Sequence, residues 1–152
     1  MRNAVIIWLT LGLCFSLSGC ATQEPLIRDT ASGYPEGTFR NTTPEAVRSK
    51  IIAGCTSLGV MVLESTADYV VCGRETKGSE TFAASLAIGS SYSTTPQRKM
   101  RFTIFKVGQD VRVTAQEWIE CQSAYGQTRT MELKANNQRN YIQNFLFSLG
   151  AE

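Results

Sequence analysis

Arg98 to Val107 and Asp110 to Cys121 are two alternating, β-rich runs joined around Gly108-Gln109, and they limit the fold more than any other part of the chain. A tight turn there makes them a hairpin. If it is the two-residue turn, Phe102 faces Ala115, Ile104 faces Val113, Lys106 faces Val111, and Met100 lies against Glu117. This set is expected to look toward the core. The alternate set pairs Lys99 with Trp118, Arg101 with Gln116, Thr103 with Thr114 and Phe105 with Arg112. It reads as a solvent-facing surface of β-branched, aromatic and cationic side chains, where cross-strand contacts contribute about 0.2–1 kcal/mol each.

Other elements surround the hairpin. Thr42-Thr43-Pro44-Glu45 is a helix start, because the hydroxyl accepts an orphan backbone N–H and proline has none to waste. Val47, Ile51, Cys55 and Leu58 then recur at helical spacing with Ile52 beside them, which predicts one apolar face running to about Leu58. Gly54 is a weak point in that helix, and Gly59 is a C-terminal cap. Val60 to Glu64 and Tyr69 to Cys72, separated by Ser65 to Asp68, read as a second hairpin. From Glu80 to Tyr92, alanines leave strand and helix almost evenly matched, and strand is the reading adopted. Tyr141, Ile142, Phe145, Leu146 and Leu149 mark a closing amphipathic helix after the polar stretch Asn136 to Asn140.

The order is therefore helix, five strands, helix. It predicts a two-layer α+β domain in which a five-stranded antiparallel meander packs both helices on one face and leaves the other open. In element order this is similar to helix-grip domains, including those of an accessory lipoprotein of the outer-membrane β-barrel assembly machinery. Likeness at that level does not establish a shared function.

The N-terminus is of another kind. Met1-Arg2-Asn3 supplies a short positive end, Ala4 to Phe15 is an uncharged apolar run, and Leu17-Ser18-Gly19-Cys20 closes it with small residues and a cysteine. A membrane-spanning helix needs about 20 apolar residues, whereas Ser16 and Ser18 interrupt this one and Thr22-Gln23-Glu24 follow at once. The segment reads as a signal peptide. Its last four residues resemble the lipobox of bacterial lipoproteins. The resemblance implies removal of residues 1–19, with a diacylglycerol on the sulfur of Cys20 and an acyl chain on its amine. One acyl chain binds membranes only marginally, so two or three make a firm anchor. Ala21, where an aspartate would retain such a protein at the inner membrane, implies the outer membrane. Residues 20–41, with Pro25, Gly33, Pro35 and Gly37 and no periodicity, read as the lipidated cysteine and a flexible tether. About twenty such residues span roughly 25 Å on average and at most about 70 Å. Residues 42–152 form the single domain.

Composition narrows the chemistry. The chain has 15 Lys and Arg against 13 Asp and Glu and no histidine, a balance with no long-range field to gather nucleic acid. Without histidine the commonest general base is missing and neither a Ser-His-Asp nor a Cys-His arrangement can form. Glu117 and Glu120 point to opposite strand faces and Glu75 and Glu80 flank a turn, so no convergent acid pair is expected, and no catalytic residue is assigned. The lack of histidine and of CxxC spacing argues against a zinc site, and no cofactor is implied. Cys55, Cys72 and Cys121 remain after cleavage, an odd number. Folding the first hairpin brings Cys72 near the last turns of the first helix, so either a Cys55–Cys72 disulfide or two small buried hydrophobes is expected. Cys121 falls at the far end of the sheet as the odd thiol.

At that far end the segments holding Tyr92 and Arg98, and Tyr125 and Arg129, come together beside Arg101 and Trp118 on the open face. Tyrosine, tryptophan and arginine are enriched at the energetic centres of protein interfaces, so these six residues are the candidate partner contacts. The expected function is that of a non-catalytic accessory, assembly or adaptor lipoprotein contacting an envelope protein. An exclusion or inhibitor lipoprotein, and a carrier of a small apolar ligand, are the alternatives.

Overall fold

The computed structural model describes residues 23–88, 94–122 and 125–152. Six strands and three helices alternate along them: β1 (Glu36–Phe39), α1 (Pro44–Ser57), β2 (Met61–Ser65), β3 (Tyr69–Glu75), α2 (Ser79–Ile88), β4 (Gln97–Val107), β5 (Asp110–Gln122), β6 (Thr128–Glu132) and α3 (Asn136–Ser148). The fold mixes helices with one open antiparallel sheet. Its strand order is β1-β5-β4-β3-β2, with β6 also on β5. The two short strands share the outer edge of β5, β1 beside Val111 to Thr114 and β6 beside Trp118 to Gln122.

The long hairpin has the expected register throughout, Phe102 opposite Ala115 and Lys99 opposite Trp118 among its pairs. Val111, Val113, Ala115 and Phe102 are fully buried. They join Val47, Ile51 and Cys55 of α1, and Ile142 and Leu146 of α3, in one core. Thr43 caps α1 by accepting the backbone N–H of Ala46 at 3.3 Å, with Pro44 in the first turn. Gly54 faces α3 closely: a β-carbon there would stand 2.8 Å from the Phe145 ring. The apparent weak point of the helix is its contact with another helix.

Three expectations are corrected. Residues 79–88 of the segment read as a strand form α2 instead. Local propensity was balanced there, and packing decides: Ala84 is fully buried and Glu80 turns inward onto two arginines. Second, β6 forms where no strand was predicted, its pairing with β5 supplying what its mostly exposed side chains do not.

Third, residues 24–41, read as part of a flexible tether, belong to the domain. Asn136 Nδ2 donates to the Glu24 carbonyl at 2.7 Å, and Asn140 brackets the next residues, donating to the Pro25 carbonyl at 2.9 Å and accepting the Ile27 N–H at 2.8 Å. Gln143 likewise accepts the Glu36 N–H and donates to its carbonyl. The polar stretch before the apolar stripe of α3 is thus inside the helix and clamps the N-terminal segment. Gly37, read as a breaker, is a packing residue whose β-carbon would meet that of Ala151 at 2.6 Å.

Candidate functional site

Cys20 and Tyr92 lie outside the described residues. The other candidate contacts separate according to strand parity. Arg101 and Trp118 lie on the sheet face opposite the core. Arg101 stacks its guanidinium over the Tyr69 ring, 4.0 Å from the centroid, an attraction worth about 0.5–1 kcal/mol at exposed sites. The Tyr69 hydroxyl donates to Glu64 across the β2–β3 pair, and this bond raises its pKa first, with burial and the Glu64 charge adding to it and Arg101 opposing. Trp118 is half-buried, and its Nε1 donates to Glu120 at 3.2 Å while Lys99 Nζ binds the other carboxylate oxygen at 2.6 Å. Burial would raise the Glu120 pKa, but the bonds from Lys99 and Trp118 outweigh it and hold the carboxyl below its ordinary range.

The face therefore presents a cationic-aromatic surface whose side chains are already oriented. Tyr69, Arg101, Lys99 and Trp118 run across β3, β4 and β5, with Phe105 exposed farther along β4. Val71 lies on the same side, against Arg101, and Leu63 covers Gly73 from the edge strand.

Arg98 is elsewhere. It projects from the helix-covered side of β4, with Nε and Nη2 donating to the two oxygens of Glu117 at 2.6 and 2.9 Å and Nη1 to Glu80 at 3.0 Å. Arg74, opposite Arg98 in the next strand, binds the second Glu80 oxygen at 2.9 Å. Glu117 is 3% exposed, so its charge depends on this bidentate pair. Burial weakens the Arg98 charge, but the bonds and charges of Glu117 and Glu80 more than offset it and its pKa is raised. Glu80 and Glu117 converge after all, on a cation rather than on a substrate. Parity was the available signal, since Arg98 belongs with Met100 and Phe102, and a buried Glu117 calls for a cation.

Two concavities flank the cluster. One, about 290 Å³, is lined by Val60, Arg74, Arg98, Met100, Glu117 and Tyr141. The other, about 670 Å³, runs under α2 along Ile119, Met131 and Leu133. Tyr141 is half exposed rather than part of the α3 core stripe. Of the remaining candidates, Tyr125 is 91% exposed in the β5–β6 connection. Arg129 is exposed on β6 opposite Cys121, on the helix side of the sheet. The five described candidates do not form one patch.

Cys55 and Cys72 are joined by a disulfide, Cα to Cα 6.4 Å, tying α1 to β3 within the core. Cys121 is a buried thiol outside it. Among the described residues no group of three acidic, cysteine or histidine side chains is arranged to hold a metal ion, and no helix is long and apolar enough to cross a membrane. No protein-family model matches the chain, and neither the curated proteins nor the solved structures hold a match to it.

Proposed function

We propose that this chain is a non-catalytic lipoprotein, anchored through acylated Cys20 in the outer membrane and facing the periplasm, that serves an envelope protein as an accessory or adaptor. One observation carries the reading. Among the described residues no helix lies over one face of the sheet, and that face presents Tyr69 stacked under Arg101, with Lys99 and Trp118 both held by Glu120. Side chains held in place before contact lose less entropy on binding, and arginine and aromatic anchors supply most interface energy. The carboxylates near the clefts are taken up by arginines, which supports a binding role rather than acid–base work.

The test is photo-crosslinking in intact cells, with a photoreactive residue at Arg101 or Trp118 and another at the exposed Lys77, just before α2, the helix that packs on the other side of the sheet. One dominant envelope protein captured from the first two positions and not from Lys77 is the expected result. Uniform capture, or none from correctly acylated protein, would sink the adaptor reading. The groove under α2 favours a second reading, a carrier of a small apolar ligand. Its sign would be lipid in an organic extract of the purified protein.

A further inference from the structure

The helix α2 is built the wrong way round for one that only packs on a sheet. Its inward side carries Glu80, Thr81 and Ala84, whereas Phe82 and Leu86, one turn apart, are 65% and 71% exposed. An amphipathic helix ordinarily turns its large apolar residues to the core, and an outward ridge of this kind marks a contact surface. Its one charged residue, Glu80, is held inward by Arg74 and Arg98. The outward side therefore offers no carboxylate to an anionic surface, and Lys77 just before it is exposed.

The position of this helix relative to the N-terminal segment names what covers it. Glu24 and Pro25 are bonded to Asn136 and Asn140 at the start of α3. Gln138, between those two, lines the same groove as Ala83 and Ala87 of α2. Only residues 21–23 separate Glu24 from Cys20, a covalent reach of at most about 14 Å. That is about the width of a single helix, too narrow for another folded domain to come between. Ile27, bonded to Asn140 in the same region, is a further half-exposed apolar side chain.

We propose that α2 lies on the bilayer itself, with Phe82 and Leu86 seated at the boundary of headgroups and acyl chains. The domain then stands on the membrane at two points, the acylated cysteine and this helix. The inference rests on the lipid anchor proposed above.

The test uses the full acylated protein in vesicles of phosphatidylethanolamine and phosphatidylglycerol, with an environment-sensitive fluorophore on Leu86→Cys. Parallel samples carry it on Phe82→Cys and on Phe105→Cys. Phe105 is exposed near the β4–β5 turn, at the end of the sheet away from α2. Thermal melts matching the parent establish that each variant is folded. Expected is a blue shift at 86 and 82, with about half the emission lost to lipid-borne quenchers at the interfacial depth where such helices bury their apolar side, and no change at 105. If vesicles carry the protein but the probe at 86 stays unquenched, the membrane contact is overturned while the anchor stands. Shielding that persists in detergent together with a crosslinked dimer would overturn it in favour of self-association. Protein that neither floats with vesicles nor carries acyl mass on Cys20 would overturn both readings.

Discussion

Gly37 of β1 and Ala151, beyond the end of α3, touch so closely that a β-carbon on the glycine would stand 2.6 Å from the β-carbon of the alanine. That partner atom is fixed to the backbone, and the backbones are themselves tied, since Thr38 and Glu152 exchange N–H to carbonyl bonds at 3.0 and 2.9 Å. Neither side can yield without breaking a pair of bonds. Gly37→Ala should therefore destabilise the domain by about 1–3 kcal/mol, the usual cost of overpacking, although alanine is the better strand residue. Urea melts of the two proteins check this, and equal midpoints would refute it.

The disulfide offers a second test. Cys55 and Cys72 are 17 residues apart, and both are fully buried. Closing a loop of that length stabilises by about 3 kcal/mol in the chain-entropy model. Replacing both with alanine should lower stability by about that amount, plus a smaller loss from packing. Denaturant melts of the double variant, set against the parent with and without reductant, separate the two contributions.

Glu117 should be the least replaceable acid on the helix side. With Arg98 left behind in a partly buried site, Glu117→Ala is expected to cost about 3–5 kcal/mol. The double replacement Arg98→Met with Glu117→Met should recover much of that loss, because two apolar side chains leave neither charge stranded. A double-mutant cycle in urea reads the coupling directly.

Trp118→Ala belongs to the other class. The side chain lies on the open face, and the change should move stability by less than about 1.5 kcal/mol while removing the crosslinked partner. A loss as large as that expected for Glu117→Ala would mean that the open face is structural.

Acid should weaken the fold through carboxylates whose pKa values are lowered. Glu120 is held down by Lys99 and Trp118 against its burial, and Asp110 by the Asn41 N–H and then by Arg40. A depressed folded-state pKa stabilises fully above the unfolded value, 4.5 for Glu120. The contribution is lost as pH falls from there through the folded value. Urea midpoints should drop between neutral pH and about pH 3, and Glu120→Gln should make the drop shallower.

How far the sequence could be read depended on where each element draws its stability. The β4–β5 register was legible because alternation and a tight turn are local signals, and the start of α1 because its cap is local too. The α2 helix was not legible, since alanines suit either state and the deciding contacts, Glu80 with Arg74 and Arg98, come from other strands. Likewise β1 was hidden by Pro35 and Gly37. Pro35 serves through its carbonyl, which accepts the Ala115 N–H at 2.9 Å, and Gly37 through its lack of a side chain. At the candidate site, the placement of Arg101 and Trp118 followed from parity. The same parity turned Arg98 inward, while its loop neighbours suggested otherwise.

The mutual bonds of Thr38 and Glu152 also bear on how the protein is made. A chain synthesised from its N-terminus has β1 in hand early, but the residues that complete that edge come more than a hundred positions later. Until Ala151 and Glu152 have emerged, Gly37 lacks its tightest neighbour and Thr38 lacks its bonded partner. The β1 edge is thus completed only after residues 151 and 152 have been made, so closing this part of the sheet is a late event in the life of the chain.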